Sequence, residues 1–233
     1  MRLSELYNST QGEGPRVGLP TTFVRFGGCN LRCPSWPCDS PYAIFPKEYR
    51  NEWQTITAEE LSDKIVELTV PGSNVCLTGG EPWLQSHEEL KWLINYLEPS
   101  DRHIECFSNA TIEIPSWVFE HTQIQFVFDH KLRGSGEKSL NTEIIERNIR
   151  RAVEGGQGVV KFTIADWDDF SEAVAKYERL EELIGETPTV YAGVVWGKVT
   201  EAQLAQWIQE SDLYNWHLNV QVHKYIYGDI RGI

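Results

Sequence analysis

Over most of its length the chain repeats one unit, a short apolar run followed by a polar turn and then a helix-periodic stretch. Residues 22–26, 74–77, 103–107, 123–128, 158–164 and 189–195 read as strands. They recur at roughly the thirty-residue spacing of strand–helix–strand units. Alternation of this kind argues for a parallel sheet covered by helices. Polar and charged residues fall repeatedly just after the strands, as at the C-terminal face of a barrel-like sheet. With about six such units and short helices, the expected fold is α/β, an incomplete TIM-like (β/α)6 barrel. A chain of 233 residues, 41% hydrophobic, suffices for one substantial core and is short for two. Residues 1–233 are therefore expected to be a single domain.

The helix signals are local and chemical. Thr57 with Glu60 three residues on is a capping box, and Leu61, Ile65 and Leu68 share one face. Pro71-Gly72 closes that unit. Leu90, Leu93, Ile94 and Leu97 mark a helix over 87–97 with Glu88 and Glu89 in its first turn, where a helix dipole favours anions. Further helices are expected over 140–153, from Phe170 to Ile184, and from a second capping box, Thr200 with Gln203, to Ile208. Residues 41–53 read as an aromatic, proline-containing loop. The tail alternates around Leu218, Val220 and Val222 and then becomes glycine-punctuated.

A formal net charge of −13 excludes a broad phosphate-backbone surface, so no nucleic-acid partner is expected. No apolar run approaches a membrane span, and the start has no signal-peptide pattern. Five cysteines, three of them bunched, point to metal or catalytic thiols in a reduced cytoplasmic setting. Those three, Cys29, Cys33 and Cys38, directly follow the 22–26 strand. Three thiolates there suit an iron–sulfur cluster, a zinc ion or no ligand at all, and spacing alone does not choose. Cys76 and Cys106 have no ligand spacing and read as buried strand residues.

Other candidates surround the cysteines in sequence order. Gln11-Gly12-Glu13-Gly14 is either a recognition loop or a plain surface turn, since glycine lets backbone approach a ligand closely. Arg25, inside a strand, faces solvent or a pocket where its donors suit a carboxylate. Gly79-Gly80-Glu81-Pro82 follows the 74–77 strand, as a ligand loop or a tight turn. Ser108-Asn109-Ala110-Thr111 sits after the next strand, and Lys131 and Arg133 after the one beyond. Those two cations could neutralise an acidic ligand or simply be solvated. Asp166, Asp168 and Asp169 read equally as helix N-terminal decoration or a metal site.

Taken together, C-N-L-R-C, Cys38 and G-G-E-P resemble the radical S-adenosylmethionine enzymes. More narrowly, the chain resembles the 7-carboxy-7-deazaguanine synthase family. The likeness runs through Q-G-E-G, Phe23-Val24-Arg25 before the cysteines, Cys38-Asp39 followed by Pro41-Tyr42, the Lys131 loop, Val160-Lys161-Phe162 and Gln221-Val222-His223-Lys224. It implies that Cys29, Cys33 and Cys38 hold a [4Fe–4S] cluster whose remaining iron takes S-adenosylmethionine. Gly79, Gly80, Glu81, Ser108, Asn109 and Lys131 would bind that cofactor. Gln11, Glu13, Gly14, Arg25 and His223 would bind 6-carboxy-5,6,7,8-tetrahydropterin, with the terminal G-x-x-R-G stretch closing the same end. Ser40, where the family more often has threonine, would ligand Mg2+. The implied reaction is radical contraction of the pterin ring to 7-carboxy-7-deazaguanine with loss of ammonia, on the route to queuosine and related deazapurines. S-adenosylmethionine would be regenerated, a reductant such as flavodoxin or ferredoxin would supply electrons, and the enzyme would be a homodimer. The chain departs from the usual superfamily cysteine spacing. Four residues, P-S-W-P, separate Cys33 from Cys38, and Pro34 and Pro37 are expected to stiffen that gap. The competing readings are another radical S-adenosylmethionine enzyme, such as a glycyl-radical activase, and a non-catalytic zinc module.

Overall fold

A computed structural model describes residues 1–233 except Pro37, Ser139, Asp229 and Ile233, and all but the side chain of Ser100. The stiffening expected of Pro37 therefore lies outside the described residues. Among the described residues nine strands form one sheet in the order β3-β1-β2-β4-β5-β6-β7-β8-β9. They are β1 Arg2–Thr10, β2 Pro20–Phe26, β3 Gln54–Thr55, β4 Asn74–Gly79, β5 His103–Ser108, β6 Ile124–Asp129, β7 Gly158–Ile164, β8 Val190–Val194 and β9 Trp216–Leu218. From β2 to β9 every neighbouring pair is parallel. The six strands expected from sequence are β2, β4, β5, β6, β7 and β8, and the fold is the incomplete α/β barrel.

The helices form where their caps predict. In α3 (Ala58–Leu68) the Thr57 hydroxyl accepts from the Glu60 amide while the Glu60 carboxylate accepts from the Thr57 amide. Helix α4 (His87–Leu97) is capped by Ser86 and buries Leu90, Leu93, Ile94 and Leu97. Asn141 caps α5 (Thr142–Glu154), and Asp166 caps α6 (Trp167–Ile184), which stops at left-handed Gly185. The cap of α7 (Glu201–Glu210) is one-sided: the Thr200 hydroxyl accepts from the Gln203 backbone amide, and the Gln203 side chain donates to Gln206. The acidic group at α6 is helix decoration and more. Asp169 accepts from the backbone amides of Ala165 and Gly134, pinning the loop after β6.

Strands β6 and β7 are buried on both faces, which is why they read as continuous apolar runs. Phe126, Phe128 and Phe162 have almost no exposure and anchor a core that also takes in Trp83, Phe170 and Trp216. Cys76 and Cys106 are buried strand residues, as read from sequence.

Three local readings are corrected. The strand at 22–26 is preceded by β1, which pairs antiparallel with it and sets Glu5 opposite Arg25 and Tyr7 opposite Phe23. The 41–53 loop contains two four-residue helices, α1 (Pro41–Ile44) and α2 (Pro46–Tyr49), each started by proline at its first position. The tail is not a strand through Val222. Only β9 is extended, and α8 (Val222–Tyr227) turns back over the barrel mouth.

Candidate active site

Because β2 to β9 are parallel, their C-terminal ends open on one side, and the cysteine loop, the Gly80-Glu81 turn, Asn109 and Lys131 follow strands that end there. The cysteine loop leaves β2 and is met by the end of β4. The Gly80 amide donates to the Phe26 carbonyl at 3.1 Å, and the Glu81 amide to the Gly28 carbonyl at 2.8 Å. A Cβ on Gly80 would lie 2.0 Å from the Gly28 carbonyl oxygen, and Gly79 has φ +119°. The two glycines are therefore needed for the β4 end to lie against the cysteine loop. The Glu81 carboxylate is fully buried and turned inward, accepting from the Ser108 hydroxyl (2.9 Å), the Asn109 amide (2.8 Å) and the Trp83 amide (3.2 Å). Burial pushes its carboxyl up to about 7, against those three donors. Glu81 thus fixes Asn109, whose side-chain amide lies 3.8 Å from the Cys29 sulfur and 3.0 Å from Asn30 Oδ1.

All three loop thiols are free and partly buried. Burial pushes Cys29 up to about 12 and Cys33 up to about 11, and the nearby Lys131 ammonium only partly opposes this at Cys33. The loop is tied down from the segment after β6. The Glu137 carboxylate accepts from the Arg32 amide and, at 2.6 Å, from the Cys33 amide, and Ser35 donates to the Ser135 carbonyl at 3.1 Å. Cys33 sits at φ 43° and a turn closes from the Trp36 amide to its carbonyl. The start of the long gap after Cys33 is thus a tethered turn. Among the described residues no three His, Cys, Asp or Glu side chains converge on a single ion position. A [4Fe–4S] cluster asks something different, one thiolate for each of three irons around a shared volume. Three free thiols on one loop, with a lysine charge beside them, fit that group.

The Q-G-E-G loop joins β1 to β2 at the N-terminal end of β2, and its side chains are held by partners from distant strands. Gln11 is buried and donates to Glu105 Oε2 at 2.7 Å. Glu13 is gripped at both oxygens, by Lys161 Nζ at 2.6 Å and by Gln221 Nε2 at 2.7 Å. The Gly14 amide donates to Asn219 Oδ1 at 2.8 Å, and φ of +73° places Gly14 in the left-handed region. His223 packs so closely on Gly12 that a Cβ there would reach 2.0 Å from its Nδ1. Burial holds the His223 imidazole below its usual value, so it stays neutral near neutral pH.

Arg25 points into the mouth, not outward. Its Nε donates to Glu5 Oε2 at 3.0 Å, Nη1 to the Ser40 hydroxyl at 2.8 Å and Nη2 to the Tyr7 hydroxyl at 2.8 Å. The Tyr42 ring takes cation–π contacts from two guanidinium groups, with its centroid 5.6 Å from Arg25 and 4.0 Å from Arg231. Arg231 also pairs with Glu5 at 2.6 Å and Glu52 at 3.0 Å. Beside Ser40, Asp39 accepts from Lys224 and Gln221, each at 3.2 Å. Burial works against the Asp39 anion, but Lys224 and these hydrogen bonds outweigh it and hold the carboxyl below its ordinary value. Ser40 and Asp39 offer the oxygen donors that Mg2+ prefers, and that ion needs few protein ligands when substrate and water complete its shell.

The residues implied for cluster, cofactor, substrate and Mg2+ reach this mouth, whereas Asp166, Asp168 and Asp169 belong to the start of α6 and Arg133 is tied to Glu172 of the same helix. Sequence reasoning missed residues that hold them, Glu5, Tyr7, Glu105, Glu137 and Asn219, whereas Arg231 belongs to the terminal G-x-x-R-G stretch expected to close the same end. It quoted Lys161, Gln221 and Asp39 within motifs without giving them a role. A signal was present for two, since Glu105 and Lys161 are charges inside otherwise apolar strands, which are rare without a buried partner.

No family model matches the chain. Among curated proteins it is similar to the 7-carboxy-7-deazaguanine synthase of Leptospira interrogans, 34% identical over 98% of this chain and 96% of that protein. Among solved structures it resembles QueE from Escherichia coli, with a TM-score of 0.69 and 20% identity, covering 95% of this chain and 94% of that one. It also resembles native anSMEcpe with bound AdoMet, at TM-score 0.56 and 11% identity over 84% of this chain and 63% of that one. The two structural likenesses carry the fold.

Proposed function

The chain belongs to the 7-carboxy-7-deazaguanine synthase family, and from that premise we propose how its own residues share the work. The activity is that of a radical S-adenosylmethionine lyase, which contracts 6-carboxy-5,6,7,8-tetrahydropterin to 7-carboxy-7-deazaguanine and releases ammonia. Its cofactors are S-adenosylmethionine and a [4Fe–4S] cluster, which when bound supply the radical that initiates ring contraction.

Cys29, Cys33 and Cys38 hold the cluster, and the Gly79-Gly80 backbone with Asn109 and Lys131 faces the S-adenosylmethionine. Glu81 works one step back, by orienting Ser108 and Asn109 from a buried position. Arg25 receives the pterin carboxylate, a pairing that its planar donor fork suits. Glu13, paired with Lys161, accepts from the amino-pyrimidinone edge, while Gln11, Gly14 and His223 complete the wall. Ser40 ligands Mg2+. The Ser40 hydroxyl accepts from Arg25, so the oxygen that would ligand Mg2+ and the guanidinium that would receive the pterin carboxylate stand side by side. The remaining parts of the reading are a flavodoxin- or ferredoxin-type reductant, a homodimer and a cytoplasmic setting. Among the described residues no helix is long and apolar enough to cross a membrane. The whole chain acts as one domain, a view supported by its one sheet and one continuous core.

The observation that carries the residue assignment is the convergence on one mouth of the thiol loop, the Glu13 grip and the Arg25–Ser40 contact. The test is anaerobic incubation of cluster-reconstituted protein with the carboxytetrahydropterin, S-adenosylmethionine, Mg2+ and a reductant. Formation of 7-carboxy-7-deazaguanine is expected, and an Arg25→Ala chain should keep its cluster while binding the pterin at least about tenfold more weakly, since charge-assisted hydrogen bonds are worth about 1.5–3 kcal/mol. A colourless protein carrying stoichiometric zinc, or undiminished pterin affinity in that variant, would sink the assignment.

A further inference from the structure

The cofactor side and the pterin side of the mouth are joined by alternating charges. Lys131 Nζ lies 2.9 Å from Asp129 Oδ2, and the same oxygen is 3.6 Å from Lys161 Nζ. Lys161 in turn lies 2.6 Å from Glu13 Oε2. Asp129 ends β6, and its other oxygen, Oδ1, is buried without a hydrogen-bond partner among the described residues. This leaves the carboxylate a vacant acceptor, able to take either lysine more closely. Burial alone would neutralise Asp129, but Lys131 and Lys161 outweigh it and hold its carboxyl below the usual value.

We propose that Asp129 is a shared counter-ion that couples the two ligands, so that S-adenosylmethionine and the pterin each strengthen the binding of the other. The inference rests on the assignment of Lys131 to the cofactor and Glu13 to the pterin. An anionic cofactor group beside Lys131 draws its ammonium away from Asp129. The carboxylate is then left with one cation, and its attraction for Lys161 rises because no second positive charge competes. Lys161 moves toward Asp129 and loosens its hold on Glu13 Oε2, whose lone pairs become available to the amino-pyrimidinone donors. The reverse holds by linkage, since a pterin that engages Glu13 releases Lys161 toward Asp129 and frees Lys131 for the cofactor.

The experiment is anaerobic titration calorimetry on the cluster-loaded protein. S-adenosylmethionine and 6-carboxypterin, an oxidised analogue, are each titrated alone and in the presence of the other at saturation. The wild-type chain is expected to show one and the same factor in both directions, within about 5–150-fold. Asp129→Asn should bring that factor to one while both ligands still bind, and Lys161→Gln should do the same from the middle of the ladder. A merely structural role would weaken both affinities and leave their ratio in place. Independent binding in the wild-type chain, or coupling that survives in either variant, overturns the proposal while leaving the residue assignments standing. Failure of one ligand to bind the wild-type protein, or normal affinities in Lys131→Met and Glu13→Gln chains, sinks the assignments and the proposal with them.

Discussion

At the scale of single residues, the site is held by partners before any ligand arrives. Arg25 has Glu5, Ser40 and Tyr7 as acceptors, so its guanidinium is already oriented and little rotamer freedom remains to be lost on binding. Ser40→Ala removes the hydroxyl assigned to magnesium while leaving Glu5 and Tyr7 on Arg25. The concentration of Mg2+ needed for half-maximal turnover should rise roughly 10–100-fold, the range seen when groups supporting a metal are lost, with cluster content unchanged. His130 makes a different prediction. It is buried against Phe162, with Nδ1 unpartnered among the described residues. Burial, aided by Lys176, pushes it down to about 3. The unfolded chain therefore takes up the proton first. Stability from this group is intact above about pH 6.5 and is lost as pH falls from there through 3. His130→Phe keeps the ring stacking and removes the proton uptake. Its unfolding free energy, from denaturant titrations, should fall less steeply between pH 6.5 and 4 than that of the wild type, the difference reaching up to about 1.4 kcal/mol per pH unit.

At the scale of elements, the glycines of the β4 end do what a side chain there would prevent. Gly80 lies against the Gly28 carbonyl, a backbone atom that cannot rotate away. Gly80→Ala should thus push the β4 end off the cysteine loop, at a cost of about 1–3 kcal/mol for overpacking. Lower iron and sulfide content after reconstitution, with far-ultraviolet circular dichroism retained, is the expected outcome. Helices α3 to α7 were legible because their determinants are local. The reciprocal bonds of Thr57 and Glu60 and the bounds of α4 follow from a few adjacent residues. Strand β1 was not legible, since its role is set by pairing with β2 across an intervening turn. The alternation in the tail likewise gave way to α8, which docks through the Val222 amide on the Gly12 carbonyl at 3.1 Å, and to the contact of His223 with Gly12.

At the scale of the whole molecule, the two ends of the chain meet over the barrel mouth. Residues near the N-terminus supply Glu5, Gln11 and Glu13, and the C-terminal segment answers with Asn219, Gln221, Lys224 and Arg231. Removing residues 221–233 should leave the sheet and the cysteine loop in place, because the cysteine loop is tied to Glu137 and to the β4 end. Glu13, Asp39 and Glu5 would lose partners, and hydrogen bonds to charged groups are worth about 1.5–3 kcal/mol each. Pterin affinity is expected to fall at least about tenfold while cluster content is unchanged, as read by calorimetry beside iron analysis. The sequence by itself determined the strand–helix rhythm, the caps and the order of the ligand-like loops. Hydrophobic periodicity and capping act over a few residues and need no knowledge of the rest. Only the tertiary structure decided which charges face one another. Lys161 meets Glu13 and Asp129, Gln221 bridges Glu13 to Asp39, and Arg25 rests on Ser40. Those pairings join residues brought together by parallel strands that end on one side, a condition no local stretch of sequence contains.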